Sequence, residues 1–301
     1  MRISVAGRLT IENDGAFLGE RALPGNQGRL ALAMLVVERK HPVSRDQLAG
    51  ELWPDGLPRS WETALRAVIS KVRTAFARAG LEPRMIDSAF GCYQLHTGDT
   101  SIDVEAAAHA LHAAEAQLQH GEFREAAVNA TVTCIVCQRP FLRGLYNPWT
   151  LSQRDRLHDM HVTARQILAE AHAAVSDWTR SAQHAQRGVE LDPYREALHQ
   201  HLILARARTG DRMGAAHVFN RYRTLMRDEL GIEPTRETVA VFDEALSQTQ
   251  DADLNIAAEQ QLHAGTFADS GSSGARRGTK AVSAKTRPRA AMAVTTSRPS
   301  R

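Results

Sequence analysis

The sequence predicts a mainly α-helical protein, in which a small α+β domain is followed by an all-α domain and then by a disordered tail. Three observations predict this fold class. Apolar and polar residues alternate within the first 20 residues, which is the pattern of short strands. From residue 102 to about residue 246 the pattern is helical. Residues 264–301 contain almost no large apolar residues, so they cannot bury enough surface to fold.

The first 42 residues predict strands and then a buried helix. The apolar residues at period two are Ile3, Val5, Leu9 and Ile11. The motif Asn13-Asp14-Gly15 is typical of a hairpin turn, because Asn, Asp and Gly tolerate a positive φ. Residues 28–39 are apolar on nearly every side, which favours a helix that is buried on most of its faces.

Two more helices and a hairpin follow. The motif Ser44-Arg45-Asp46-Gln47 has the pattern of a capping box and opens a helix that ends near Trp53. After a tight connection, a longer helix from about Ser60 to Ala79 has apolar residues at a 3.6-residue period. These residues are Leu65, Val68, Ile69, Val72 and Phe76. Residues 84–96, with a glycine near the turn, predict a β-hairpin.

This order of elements is that of a winged helix-turn-helix. The major groove of DNA admits one α-helix, which must pack one face on its own domain and present a polar, basic face to the DNA. The residues of the third helix that lie largely away from its apolar stripe are Thr63, Arg66, Ser70, Lys71 and Arg73. The hairpin is then the wing, and Arg84 is placed to meet a phosphate near it. A solvated helix face is the alternative for these charges, but the neighbouring capped helix and wing favour DNA contact.

The all-α region contains a weak repeat of 34 residues. Asp177 and Asp211 are 34 residues apart, and so are Ala182 and Ala216, which is the period of tetratricopeptide repeats. Residues 122–137 resemble an earlier, degenerate helix of the same kind. The repeat is weak because most of the consensus aromatic residues are missing. The 34-residue period nevertheless predicts an all-α, tetratricopeptide-like domain.

The composition is that expected of a cytoplasmic globular protein. Of the 301 residues, 43% are hydrophobic and 24% are charged. No apolar run approaches the roughly 18 residues of a membrane span, and the N-terminus has no signal core. The net charge is +3, but residues 270–301 carry eight Lys/Arg and no Asp/Glu, so the remainder of the chain has a net charge of about −5. The overall charge is therefore weak evidence that the protein binds nucleic acid. This basic tail either adds non-specific affinity for DNA or is inert.

The three cysteines are Cys92, Cys134 and Cys137, which give no disulfide framework and fit a reducing compartment. The spacing Cys134-x-x-Cys137 suggests a metal or redox site. No second CxxC and no convincingly spaced His pair accompanies it, which favours two structural thiols. The sequence also lacks GxSxG, HExxH and P-loop motifs. It therefore predicts no enzyme, no cofactor and no metal site.

Motifs in both domains resemble a known family. VSRDQLAGELWPD, TALRAVISKVRTAF and FGCYQL are similar to the winged helix of the Streptomyces antibiotic regulatory protein family, which is related to the OmpR-type DNA-binding domain. Residues 103–248 resemble the bacterial transcriptional activation domain that follows it, with RDELGIEPTRETVAVFDEAL similar to its closing helices. The resemblance implies a regulator that binds direct repeats upstream of promoters and helps to recruit RNA polymerase.

The resemblance also assigns roles to individual residues. The base-facing positions are held by Thr63, Arg66 and Ser70. The phosphate-contacting positions are held by Arg29, Lys71 and Arg73. These assignments come from the family's pattern, whereas Arg84 is a candidate because of its place beside the wing.

The predicted parts are an OmpR-type winged-helix DNA-binding domain (residues 1–98), a tetratricopeptide-like activation domain (residues 102–248) and a disordered basic tail (residues 251–301). The predicted function is sequence-specific transcription regulation, as an activator. Its expected partners are double-stranded promoter DNA, RNA polymerase holoenzyme and a second copy as a homodimer on DNA, with no membrane. The alternative is a tetratricopeptide-like protein-interaction adaptor without sequence-specific DNA binding.

Overall fold

The computed structural model describes residues 1–247, and the predicted tail lies outside the described residues. The strands in this range are β1 (Arg2–Ser4), β2 (Thr10–Asn13), β3 (Ala16–Gly19), β4 (Val43–Ser44), β5 (Ile86–Ala89), β6 (Cys92–Leu95) and β7 (Ser101–Ile102). The helices are α1 (Gly25–Val37), α2 (Arg45–Leu52), α3 (Trp61–Arg78), α4 (Asp103–Gln119), α5 (Phe123–Cys137), α6 (Pro148–Ala174), α7 (Trp178–Leu191), α8 (Glu196–Arg208), α9 (Arg212–Leu225) and α10 (residues 236–247). The fold is therefore mainly helical, as predicted.

The N-terminal sheet has the strand order β3-β2-β1-β7. Its hairpin turns at Asp14 and Gly15, whose φ angles of 46° and 88° confirm the predicted turn. The apolar residues at period two are all buried, namely Ile3, Val5, Leu9 and Ile11. Strand β7 pairs with β1 in parallel, so the chain returns to its first strand immediately before α4 begins.

The helices α1, α2 and α3 form the core of a winged helix-turn-helix. Helix α1 begins at Gly25, three residues before the predicted start of the apolar run. The apolar pattern does not reveal this first turn, because its residues are polar or glycine. Helix α2 follows Ser44, whose Oγ accepts a hydrogen bond from the Gln47 N–H at 3.1 Å, which confirms the predicted cap. Helix α3 buries its entire apolar stripe against this core.

The wing is the hairpin of β5 and β6, with β4 on the other side of β6. Ala89 pairs with Cys92, so Phe90 and Gly91 are the two turn residues. Their φ angles of 49° and 75° are both positive, as a two-residue hairpin loop of this kind requires. The predicted hairpin is therefore confirmed, and the pairing of β4 with β6 ties the segment before α2 to the wing.

Helices α4 to α9 pack as successive helical hairpins in a tetratricopeptide-like domain, and the Phe242 ring of α10 stacks on Phe219 of α9. Asp177 and Asp211, which are 34 residues apart, cap equivalent helices. The Asp177 Oδ1 accepts from the Arg180 N–H at 3.2 Å before α7, and the Asp211 Oδ1 accepts from the Gly214 N–H at 2.8 Å before α9. The 34-residue spacing thus reflects a repeated cap.

Polar contacts join the winged helix to the helical domain. The Asp103 carboxylate at the start of α4 accepts from the N–H groups of Val5 and Ala6 at 2.9 and 3.1 Å. A Glu51 oxygen at the end of α2 accepts from the Asn147 side chain and from the Trp149 N–H, at the first turn of α6. The hydrophobic cluster of the winged helix continues without a break into α4 and α6. The two parts are therefore held together by buried contacts.

None of the helices between residues 1 and 247 combines the length and the apolar character that a membrane crossing requires.

Candidate nucleic-acid interface

Helix α3 exposes one polar face opposite its buried stripe. At about 100° per residue, Thr63, Ser70 and Thr74 fall near the centre of this face. All three are exposed. The side chains between them include Ala67 and Ala77, which are also exposed and are small. The centre of the face is therefore shallow and polar, so that another surface can come close to the helix backbone.

Basic side chains line both edges of this face. Arg66 and Arg73 are seven residues apart and lie along one edge, whereas Lys71 and Arg78 have the same spacing along the other. Arg66 forms an ion pair with Glu62 at 2.9 Å, and both side chains are more than half exposed. An ion pair this exposed stabilises weakly, so Arg66 can exchange it for another acceptor. The face thus has a neutral centre between two positive edges.

Arg73 holds α3 against the wing. Its Nε and Nη2 donate to the Ile86 carbonyl of β5 at 3.2 and 2.8 Å. Arg84 is exposed in a single 3₁₀ turn directly before β5, two residues from that carbonyl. The structure therefore places Arg73 and Arg84 where α3 meets the wing, with Arg73 making an internal contact and Arg84 open to solvent.

Arg29 lies apart from the other predicted residues. It is on α1, and its guanidinium forms an ion pair with Glu20 and donates to Asn26 Oδ1 and to the Arg143 carbonyl, both at 3.2 Å. Its side chain is only 17% exposed. Five of the other six predicted residues (Thr63, Arg66, Ser70, Lys71 and Arg84) are exposed on α3 or beside the wing, and the sixth, Arg73, is half-buried.

The sequence reasoning missed two features of this surface. Phe90 at the tip of the wing is fully exposed, which is unusual for a large apolar side chain. The sequence feature that could have predicted this exposure is the position of Phe90 before Gly91 in a two-residue turn. Arg45, the first residue of α2, lies 5.7 Å from the centre of the Tyr93 ring in the wing and donates its backbone N–H to the Gly91 carbonyl. Arg45 therefore joins the helix-turn-helix to the wing.

Both cysteines of the CxxC motif are in the last turn of α5, where Cys134 is buried and Cys137 is half-buried. Burial raises the pKa of Cys134 and raises the pKa of Cys137 to about 12, so both are protonated at neutral pH. A protonated thiol is a poor nucleophile and a poor metal ligand. Among residues 1–247, no group of three or more His, Cys, Asp or Glu side chains is arranged to hold a metal ion.

The fold and this face define a winged-helix protein with a tetratricopeptide-like second domain. Residues 102–246 match the family described as bacterial transcriptional activator domain. This match and the relatives below support the resemblance to the Streptomyces antibiotic regulatory protein family that the sequence motifs indicated.

Several curated proteins are similar to the chain, among them EmbR, AfsR and MoaR1. The transcriptional regulatory protein EmbR of Mycobacterium tuberculosis is 27% identical over 237 residues, which cover 77% of this chain and 60% of EmbR. The regulatory protein AfsR of Streptomyces coelicolor is 27% identical over 243 residues, or 78% of this chain and 23% of AfsR. The transcriptional regulatory protein MoaR1 of M. tuberculosis is 25% identical over 229 residues, or 75% of this chain and 74% of MoaR1. The chain thus spans about three fifths of EmbR.

A solved structure of M. tuberculosis EmbR in complex with a low-affinity phosphopeptide superimposes with a TM-score of 0.70 at 25% identity. The superposition covers 87% of this chain and 70% of that one. It therefore includes both the winged helix and the helical domain of this chain.

Proposed function

We propose that this protein is a cytoplasmic, sequence-specific DNA-binding transcription regulator that activates promoters. The observation that carries the proposal is the outer face of α3, which has a shallow polar centre between two basic edges and is braced by the wing. A major groove accepts such a helix, with the base edges opposite its centre and the phosphate backbones along its sides. The similarity of the chain to transcriptional regulators supports the same function.

Within this proposal, Thr63, Arg66 and Ser70 contact base edges, and Lys71 and Arg84 contact phosphates. Arg73 donates from Nε and Nη2 to the Ile86 carbonyl, so it positions the helix, and its Nη1 group and second Nη2 proton remain for a phosphate. Arg29 reaches a phosphate only by giving up its ion pair with Glu20, so we assign it a smaller contribution. Two copies bound head to tail would occupy a direct repeat, and the helical domain would then contact RNA polymerase.

The proposal is tested by selecting genomic promoter fragments with the purified full chain, at near-physiological salt and with excess competitor DNA. We expect enrichment of fragments that share a short direct repeat. The double variant R66A/K71A should lose this enrichment, because it removes one base-facing and one phosphate-facing cation from α3. R124A/R236A is the matched control, since it removes two exposed arginines from the helical domain. No enrichment by the unaltered chain would refute the proposal and would favour the interaction adaptor.

Arg66 and Lys71 should have different roles, which single variants can separate. R66A should reduce discrimination between the selected site and a mismatched site by about 1–3 kcal/mol, because a bidentate arginine contact distinguishes one base from another. K71A should weaken binding to both sites and reduce the slope of log K against log [salt] by about 0.9, because one phosphate contact is lost. Fluorescence anisotropy titrations at several salt concentrations measure both quantities. If K71A leaves the slope unaltered, Lys71 contacts no phosphate.

A further inference from the structure

A solvent-open cavity outside α3 contains a buried arginine that has no acidic partner among residues 1–247. The cavity has a volume of about 570 Å³ and lies between the end of α5, the middle of α6 and α7. Arg165 of α6 lines it and is only 8% exposed. A buried guanidinium is ordinarily paired with a carboxylate, because removing an unpaired charge from water is costly. Among residues 1–247, Arg165 forms no ion pair.

The acceptors that Arg165 does have are neutral. Its Nε donates to His161 Nε2 at 3.3 Å, and its Nη1 lies 3.1 Å from His184 Nδ1. An arginine can only donate, so both imidazole nitrogens accept and both rings are uncharged. Burial, followed by the charge of Arg165, lowers the pKa of each histidine to about 4, which is consistent with this arrangement. The nearby Cys134 thiol is also neutral. Nothing in this group offsets the positive charge.

The other groups around the cavity favour an anionic ligand. Arg187 lines it, is exposed, and adds a second positive charge. Gln138 and Gln183 also line it and can donate hydrogen bonds. Glu190 is the acidic residue in the lining, and one of its oxygens accepts from Gln186 Nε2 at 3.2 Å. The Nη2 group of Arg165 has no acceptor among the described residues, so it can donate both of its protons to a ligand.

We infer that this cavity binds a small organic anion, whose carboxylate or phosphate group pairs with Arg165 and Arg187. The cavity is open to solvent and has room for a small anion. A planar guanidinium suits both kinds of oxyanion because it donates two parallel hydrogen bonds. The arginine is then a binding residue whose charge is compensated only when the ligand is present. Occupancy of this site does not depend on DNA binding by α3.

Titrations of the full chain with inorganic phosphate and with citrate test this inference, at constant ionic strength maintained with chloride. We expect a saturable rise in melting temperature with at least one probe, because a ligand of the folded state stabilises it by mass action. A rise with phosphate but not with citrate would identify the ligand as a phosphate compound. A rise with citrate but not with phosphate would identify it as a carboxylate. The variant R187Q should weaken binding about tenfold or more. R124Q removes another exposed arginine, on α5, and should leave binding unaltered.

The variant R165M separates a binding role from a structural one. If Arg165 serves a ligand, R165M should abolish the effect of the anion while leaving the melting temperature of the ligand-free protein equal or higher, since a buried unpaired charge is removed. NMR of the imidazole signals adds an independent measurement, because a bound anion offsets the charge of Arg165 and should raise the pKa of His161 and His184. The inference is overturned if neither probe binds, if binding survives in R187Q and R165M alike, or if only an acidic polypeptide saturates the site.

Discussion

Replacing Glu51 with alanine is expected to lower the free energy of unfolding by about 2–5 kcal/mol. One Glu51 oxygen accepts from the Trp149 N–H at 3.0 Å and also from the Asn147 side chain. Asn147 and Trp149 are only 4% and 8% exposed, so in E51A both donors would be left without a partner away from water. Each unsatisfied donor of this kind costs about 1–3 kcal/mol. Guanidinium chloride unfolding followed by circular dichroism measures the loss.

Two controls define what the Glu51 carboxylate contributes. E51Q keeps an acceptor oxygen and should lose less stability than E51A, because the amide can still accept from one of the two donors. E125A removes an exposed glutamate from α5 and should change stability by no more than about 0.5 kcal/mol. An E51A variant as stable as E125A would show that the contact between α2 and α6 contributes little.

Acidification is expected to destabilise the helical domain between pH 6.5 and about pH 4. The pKa of His161 falls from 6.5 to about 4 in the folded chain, first because of burial and then because of Arg165 and His158. The unfolded chain therefore takes up the proton at a higher pH than the folded chain. The stability linked to this group is fully present above pH 6.5 and is lost as the pH falls towards 4, with a maximum of about 3 kcal/mol.

Urea unfolding at pH 7, 6 and 5 measures this dependence. H161Q should reduce the loss on acidification, because glutamine offers Arg165 an acceptor but does not titrate. H217Q is the control, since His217 is exposed on α9 and is not among the groups that lower the pKa of His161. Some dependence on pH will remain in H161Q, because burial also lowers the pKa of His184, His199 and His201. If H161Q and the unaltered chain lose the same stability, His161 is not responsible.

Local signals in the sequence were sufficient for most of the fold. The cap at Ser44, the turn at Asp14 and Gly15, and the two aspartate caps before α7 and α9 each depend on contacts within a few residues. The apolar stripe of α3 fixes which of its side chains face outward, because helical geometry leaves no other choice. The candidate interface on α3 and the wing follows from these local features.

Contacts between distant residues could not be obtained in this way. Arg29 resembled a phosphate-binding residue at its position in the motif, but its partners include the Arg143 carbonyl, 114 residues away. Glu51 has no feature in the sequence that indicates its contact with Asn147, 96 residues later. The absence of an ion pair at Arg165 among the described residues likewise depends on how α5, α6 and α7 pack. Such contacts arise from tertiary packing, which a pattern of residue types does not specify.

The contact of α2 with the first turn of α6 also has a mechanical consequence. Helix α6 has 27 residues, so it is a stiff rod about 40 Å long. One end of this rod is anchored on the helix-turn-helix, and Arg165 lies on it some 27 Å from that anchor. A rotation of 5° about the anchored end displaces the far end by about 3.5 Å at this length. Any load that tilts the distant end of α6 therefore reaches α2 as a torque, with the lever arm of the whole helix.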